Sequence, residues 1–304
     1  MLVSMFTRGG LVLFMLVLSF GQSTAAETAH VACENDQSSI EYWRKVRENA
    51  AAENANSLAL SLAECLRSPN AELRDRIAYE VLTYWMRKDR LDPEQVAALE
   101  VRLVPWLATD SDTDDSAISR AFSALVLSEV VRYDALNPFM QEQELAKLHS
   151  AATTMFAQER DYRGLTDELG WIHTVAHGAD LLWRLSLHPK STEDQQSKIL
   201  AVLGSQIVRA DIPAYTFNEF DRIARVATAI ISRGEVNQDE LAHWVVEMAD
   251  PGELGEWNRA FSSPSGMAQL HNQKHFLRAL MYSISDGQPD TIKQTLKEAL
   301  NSLP

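Results

Sequence analysis

Along most of this chain apolar residues recur at spacings of three and four, and aromatic and β-branched residues never settle into the alternation of a strand. That periodicity restricts the fold to packed helices. It predicts helices near 40–53, 57–67, 71–88, 93–108, 116–133, 138–158, 166–187, 192–209, 216–233, 237–249, 265–284 and 289–302. Asn70 and Asp92 are placed to cap, Pro93 and Pro138 to sit where helices restart, and Pro189 and Gly234 to follow helix ends. The expected fold is all-α: an irregular α-solenoid of the HEAT or armadillo kind, about a dozen helices in one domain over residues 27–304. The sequence has no repeat of fixed period, which speaks against a regular array and leaves degenerate helix pairs, and no low-complexity linker divides it.

The first residues read differently. Arg8 precedes an apolar run from Leu11 to Leu18, and Ser23-Thr24-Ala25-Ala26 offers the small residues a signal peptidase reads. A bilayer-spanning helix needs about 20 apolar residues. The run therefore predicts a cleaved secretory signal over residues 1–26 and a periplasmic or secreted product without stable membrane insertion. Losing Arg8 takes the formal charge from −14 to −15. Such acidity repels nucleic acid and anionic membrane surfaces, which leaves a small molecule or a protein as the expected partner. Cys33 and Cys65 lack a C-x-x-C spacing and a neighbouring histidine cluster, so in an oxidising compartment they predict a structural disulfide.

Functional residues concentrate in 170–189. On a helix, His173, His177, Asp180, Arg184 and His188 fall on one stripe, opposite Ile172, Val175, Ala176, Ala179, Leu182 and Trp183. The imidazoles should then face a groove while Trp171 and Trp183 pack. A second stripe, His271, Lys274, His275, Arg278 and Tyr282, lies opposite Phe276, Leu277, Leu280 and Ile284. If both face one groove, four imidazoles and Asp180 converge on a ligand. The alternative is a metal-dependent hydrolase with His173, His177 and Asp180 as ligands, zinc suiting imidazole best. The His-Glu-x-x-His motif is absent, since Thr174 follows His173, so a base would have to come from Glu159, Asp161, Asp167 or Glu168. Four histidines titrating near neutrality would also make a groove pH-responsive.

Other candidates have plainer accounts. Asp110, Asp112 and Asp114 imitate the start of a calcium loop, but the sixth position is Asp115 and the twelfth Ala121, so Asp115 or Ser116 is expected simply to cap the next helix. Asp75, Arg120 and Asp221-Arg222 are charges embedded in apolar helices. They predict ion pairs linking successive helices or lining a groove.

Five stretches together resemble a bacterial family designated domain of unknown function 2785. They are Glu72-Leu73-Arg74-Asp75 with Ile77-Ala78-Tyr79 and Trp85; Ser119-Arg120-Ala121-Phe122-Ser123; Glu159-Arg160-Asp161-Tyr162-Arg163-Gly164; Gly170-Trp171 with His173 and Ala176-His177-Gly178-Ala179-Asp180; and Asn272 with Phe276-Leu277-Arg278. The resemblance spans about residues 70–284, and its specific part is the Gly-Trp-x-His to Ala-His-Gly-Ala-Asp element. Ala121 departs from it, where the family is expected to carry serine. The resemblance implies an all-α, HEAT-like fold and brings no established activity.

Overall fold

A computed structural model describes residues 32–108, 113–284 and 289–304. The expected signal segment, and Asp110 to Asp112 of the acidic loop, lie outside the described residues. The described chain is helical apart from one small hairpin. In order come α1 (Gln37–Glu48), α2 (Ala55–Glu64), a π-helical segment Glu72–Tyr79 continuing into α3 (Glu80–Arg87), α4 (Pro93–Leu103), α5 (Asp114–Leu136) and α6 (Glu142–Gln158). After the hairpin β1 (Leu165–Thr166) and β2 (Gly170–Trp171) follow α7 (Thr174–Leu187), α8 (Glu193–Ser205), α9 (Glu219–Arg233), α10 (Gln238–Glu247), α11 (Pro264–Ser283) and α12 (Asp290–Ser302).

Each helix sits where the periodicity placed one, because each buries one face. The helix ends follow the side-chain chemistry. Asn70 Oδ1 accepts from the Glu72 and Leu73 N–H groups at 2.9 and 3.3 Å, and Gly234 ends α9 with φ +70°. Asp92 precedes Pro93 as expected, but its carboxylate accepts from the Asn56 amide instead of capping. Thr113, and not Asp115 or Ser116, caps α5 through the Ser116 N–H.

The helices form two layers. In one, α5, α7, α9 and α11 lie side by side in succession; in the other, α6, α8, α10 and α12 do the same, and α7 packs on both α6 and α8. One continuous apolar core runs through the described helices, from Trp43 and Leu62 through Leu127 and Leu182 to Ile230 and Leu280. Close approach of α7 to α6 needs Gly178, where a Cβ would come within 2.9 Å of the Phe156 ring. A disulfide joins Cys33 to Cys65 and ties the segment before α1 to the end of α2.

Candidate functional site

The helix expected over 166–187 begins at Thr174, eight residues late. Leu165 pairs with Trp171, and Thr166 with Gly170, in a two-stranded antiparallel hairpin ahead of it. His173 is therefore not a helical residue. It precedes α7 in the left-handed region, φ 57° and ψ 39°, and its side chain makes no capping bond. For a residue with a Cβ that conformation costs roughly 1–2 kcal/mol.

What holds His173 there is readable from its neighbours. The Arg74 guanidinium, fully buried in the π-helical segment, donates to the Leu169 carbonyl at 2.7 Å, the Trp171 carbonyl at 3.0 Å and the Ser68 carbonyl at 3.2 Å. It also donates to Asp75 Oδ1 at 2.6 Å and lies 4.6 Å from the Phe122 ring centre. From the other side, the Ile172 and His173 N–H groups donate to the Gly164 and Arg163 carbonyls at 2.9 and 3.1 Å. The loop carrying those carbonyls is anchored by buried Glu159, which accepts from Arg120 and from the Arg160 and Asp161 N–H groups. Of the charges embedded in apolar helices, Arg120 and Arg222 form ion pairs between elements, with Glu159 and Asp180, while Asp75 pairs with its neighbour Arg74 and Asp221 forms none among the described residues; the Arg74 and Glu159 networks hold the hairpin.

The fixed hairpin walls a cavity of about 450 Å³. The π-helical segment contributes Asp75 and Tyr79, and α5 contributes Phe122 and Leu125. Trp171 comes from β2, His173 from the entry to α7, and His177 from its first turn. Phe217, Asn218, Asp221 and Arg222 come from the start of α9. The aromatic groups brace one another. Trp171 stacks on His173 with centroids 5.0 Å apart, Phe217 meets Trp171 edge-on at 5.7 Å, and Phe122 meets His177 edge-on at 5.1 Å. Phe217 lies directly over Gly164, where an added Cβ would fall 2.1 Å from Cδ2. Asn218 also precedes its helix in the left-handed region, φ 65°. Among the described residues the non-glycine positions with positive φ are Asp89, His173 and Asn218, so two of the three border this cavity.

The electrostatics are nearly self-compensating. Asp180 does not face the imidazoles as a free ligand: Arg222 and Arg225 donate to its two oxygens at 2.5 and 2.8 Å. His173 Nε2 lies 3.5 Å from the buried Glu219 carboxylate. Burial alone would raise Glu219, but His173 and the backbone N–H groups of Glu219 and Phe217 outweigh it and hold it below the ordinary range. Burial depresses His177 to about 3, with His173, Arg222 and Arg74 adding to the effect and the Ala121 backbone opposing it. Its ring therefore stays neutral at ordinary pH and does not supply a switch near neutrality. Burial raises the Asp75 carboxyl despite Arg74. His173 Nε2 and His177 Nδ1 are both shielded from solvent, the first facing Glu219.

Other expected site residues lie elsewhere. His188 ends α7, buried, with Nε2 2.9 Å from Asp134 Oδ2. Arg184 stacks 4.2 Å from the Trp183 ring and 3.8 Å from Glu129. The rings of His271 and His275 lie 4.2 Å apart, and both pack against Phe220. Neither they nor the exposed Arg278 line the cavity, so the two histidine stripes do not converge on it. Among the described residues no three histidine, cysteine or acidic side chains form a metal-holding group. Trp171, expected to pack, is 41% exposed at the cavity wall. Tyr79, Phe122, Leu125, Phe217 and Asn218 carry no charge or ligand-type spacing that marks them in the sequence as site residues, whereas Asp75 and Asp221-Arg222 stand out as charges within apolar helices.

A cavity with aromatic walls, two carboxylates and an amide can hold a small molecule and orient its polar groups. The chain matched no curated protein and no solved structure. One family model, described as "Protein of unknown function (DUF2785)", matches residues 106–282, which include every cavity residue except Asp75 and Tyr79. With more than half of its length inside that match, and with the hairpin, α7 and the start of α9 all within it, the chain belongs to the DUF2785 family.

Proposed function

We propose that this is an exported α-solenoid of HEAT-like character that binds a small organic ligand in the cavity at Trp171, His173 and His177. The observation carrying this is the coincidence of that cavity with two strained, non-glycine left-handed residues, His173 and Asn218. Such strain persists only where the surroundings over-determine it, and it clusters at ligand sites. The two successive helix layers support the solenoid, and the Cys33–Cys65 bridge with the apolar leader supports export. The metal-hydrolase alternative is less favoured because Asp180 is committed to two arginines.

Ligand-observed NMR of a fragment library against the purified protein tests this reading. Fragments should bind wild type and fail to bind Leu125→Trp, which fills the cavity from α5. Fragments that bind both proteins equally, or none that bind wild type, would refute it. Thermal unfolding of the variant checks that it is folded.

A further inference from the structure

Resting on that reading, the chemistry of the walls narrows the ligand further: we infer that the cavity takes a neutral polyhydroxylated ring, a saccharide, seated against the indole of Trp171. The first support is the indole itself. It is held by the His173 stack and the Phe217 edge, and Arg74 fixes its backbone carbonyl, yet it stays 41% exposed. A large apolar side chain that is rigid and uncovered is a platform for the C–H face of a sugar ring, as it would be for any flat apolar surface.

Charge then separates the ligand classes. An anion such as phosphate needs an uncommitted cation: Arg74 is matched by Asp75 and three carbonyls, and although Arg222 shares Asp180 with Arg225, the Asp221 carboxylate beside it in the cavity wall supplies the balancing negative charge and repels an anion. His177 remains neutral. An organic cation would meet Asp221, but it would enter beside Arg222 and near the starts of α7 and α9, where the helix dipoles are positive. A neutral ligand avoids both penalties.

The hydrogen-bonding groups match vicinal hydroxyls, each of which donates and accepts. Asp221 makes no ion pair or hydrogen bond within the described protein, and only Oδ1 of Asp75 is engaged by Arg74, so both carboxylates can accept from hydroxyls. The Asn218 amide, which lines the cavity with them, can both donate and accept.

Isothermal titration and tryptophan fluorescence with glucose, N-acetylglucosamine, maltotriose, cellotriose and chitotriose test the inference, with inorganic phosphate and tetramethylammonium as comparison probes. At least one saccharide should bind saturably, and Trp171→Ala and Asp221→Asn should each weaken it about tenfold or more, with Trp171→Phe recovering part of the loss. Asp221 is exposed on α9, so its amide variant tests recognition without threatening the fold. Saccharides that fail to bind, or that bind Trp171→Ala and Asp221→Asn as tightly as wild type, overturn the inference. Phosphate or tetramethylammonium binding in the absence of any saccharide also overturns it while leaving a small-ligand cavity standing. Silence across the fragment library removes that broader reading as well.

Discussion

Replacing Arg74 with methionine removes a fully enclosed guanidinium of which Nε, Nη1 and Nη2 all donate. Methionine fills much of the same space but donates nothing. The Leu169, Trp171 and Ser68 carbonyls and the Asp75 carboxylate lose their shared partner. An unsatisfied buried acceptor costs about 1–3 kcal/mol; the Leu169 and Trp171 carbonyls are only partly buried and can recruit water, so each belongs near the lower end. Adding the half-buried Asp75 left without its counter-charge gives roughly 3–5 kcal/mol, as for other broken buried pairs. That is a large fraction of the typical 5–15 kcal/mol stability of a folded protein. Guanidinium unfolding followed by far-UV circular dichroism measures it directly, with an unchanged m-value confirming that the same transition is compared. Arg74→Lys keeps the charge but not the fork, and should lose about half as much. A loss below about 1 kcal/mol for Arg74→Met at constant m would refute the claim that this guanidinium fastens the hairpin.

Stability should be greatest above pH 6.5 and fall as the pH drops towards 3, because the unfolded chain takes up a proton that His177 refuses in the fold. The slope from His177 is at most ~1.4 kcal/mol per pH unit, and His177→Gln should flatten it in acid-series denaturant titrations; an unaltered slope would contradict the assignment. His149, held down to about 4 mainly by burial, should leave a residual slope. Gly164→Ala forces Phe217 off its seat and should cost about 1–3 kcal/mol, with Phe217→Ala in the same chain recovering part of it in thermal melts. Reducing the Cys33–Cys65 bridge, which encloses a separation of 32 residues, should cost ~3–4 kcal/mol, and dithiothreitol-treated wild type should unfold like the Cys33→Ser/Cys65→Ser variant.

Helix placement was legible because burying one face of each helix leaves a periodic apolar record, and each predicted span contains a helix. The hairpin before α7 was not, since two-residue strands are too short to alternate. His173 reached the cavity although its premise failed: it enters as the residue preceding the helix, not as a member of it. Asp180 lies on the expected stripe, yet what claims it is a pair of arginines more than 40 residues later, a meeting that no local pattern encodes. Trp171 looked like packing because its exposure depends on how the hairpin turns out of the core. Phe217 and Asn218 fall inside the expected helix 216–233, but α9 starts only at Glu219, and the close pass over Gly164 brings Phe217 to the wall.

The π-helical stretch Glu72–Tyr79 makes the wall that carries Asp75 and Tyr79 sensitive to insertion and deletion in a way the rest of α3 is not. Its wider winding accommodates more residues per turn than an ordinary helix, so excising one residue would let standard coiling resume with little disturbance to the core. Because the wide turn absorbs the extra residue, the flanking faces would stay in place and only the side chains of the turn itself would shift, by about 100° per residue of register. A descendant with that single codon lost would keep its architecture while Asp75 swung away from the recess and Arg74 from the carbonyls it grips. Length polymorphism there is thus a route by which one scaffold can shed one specificity and acquire another.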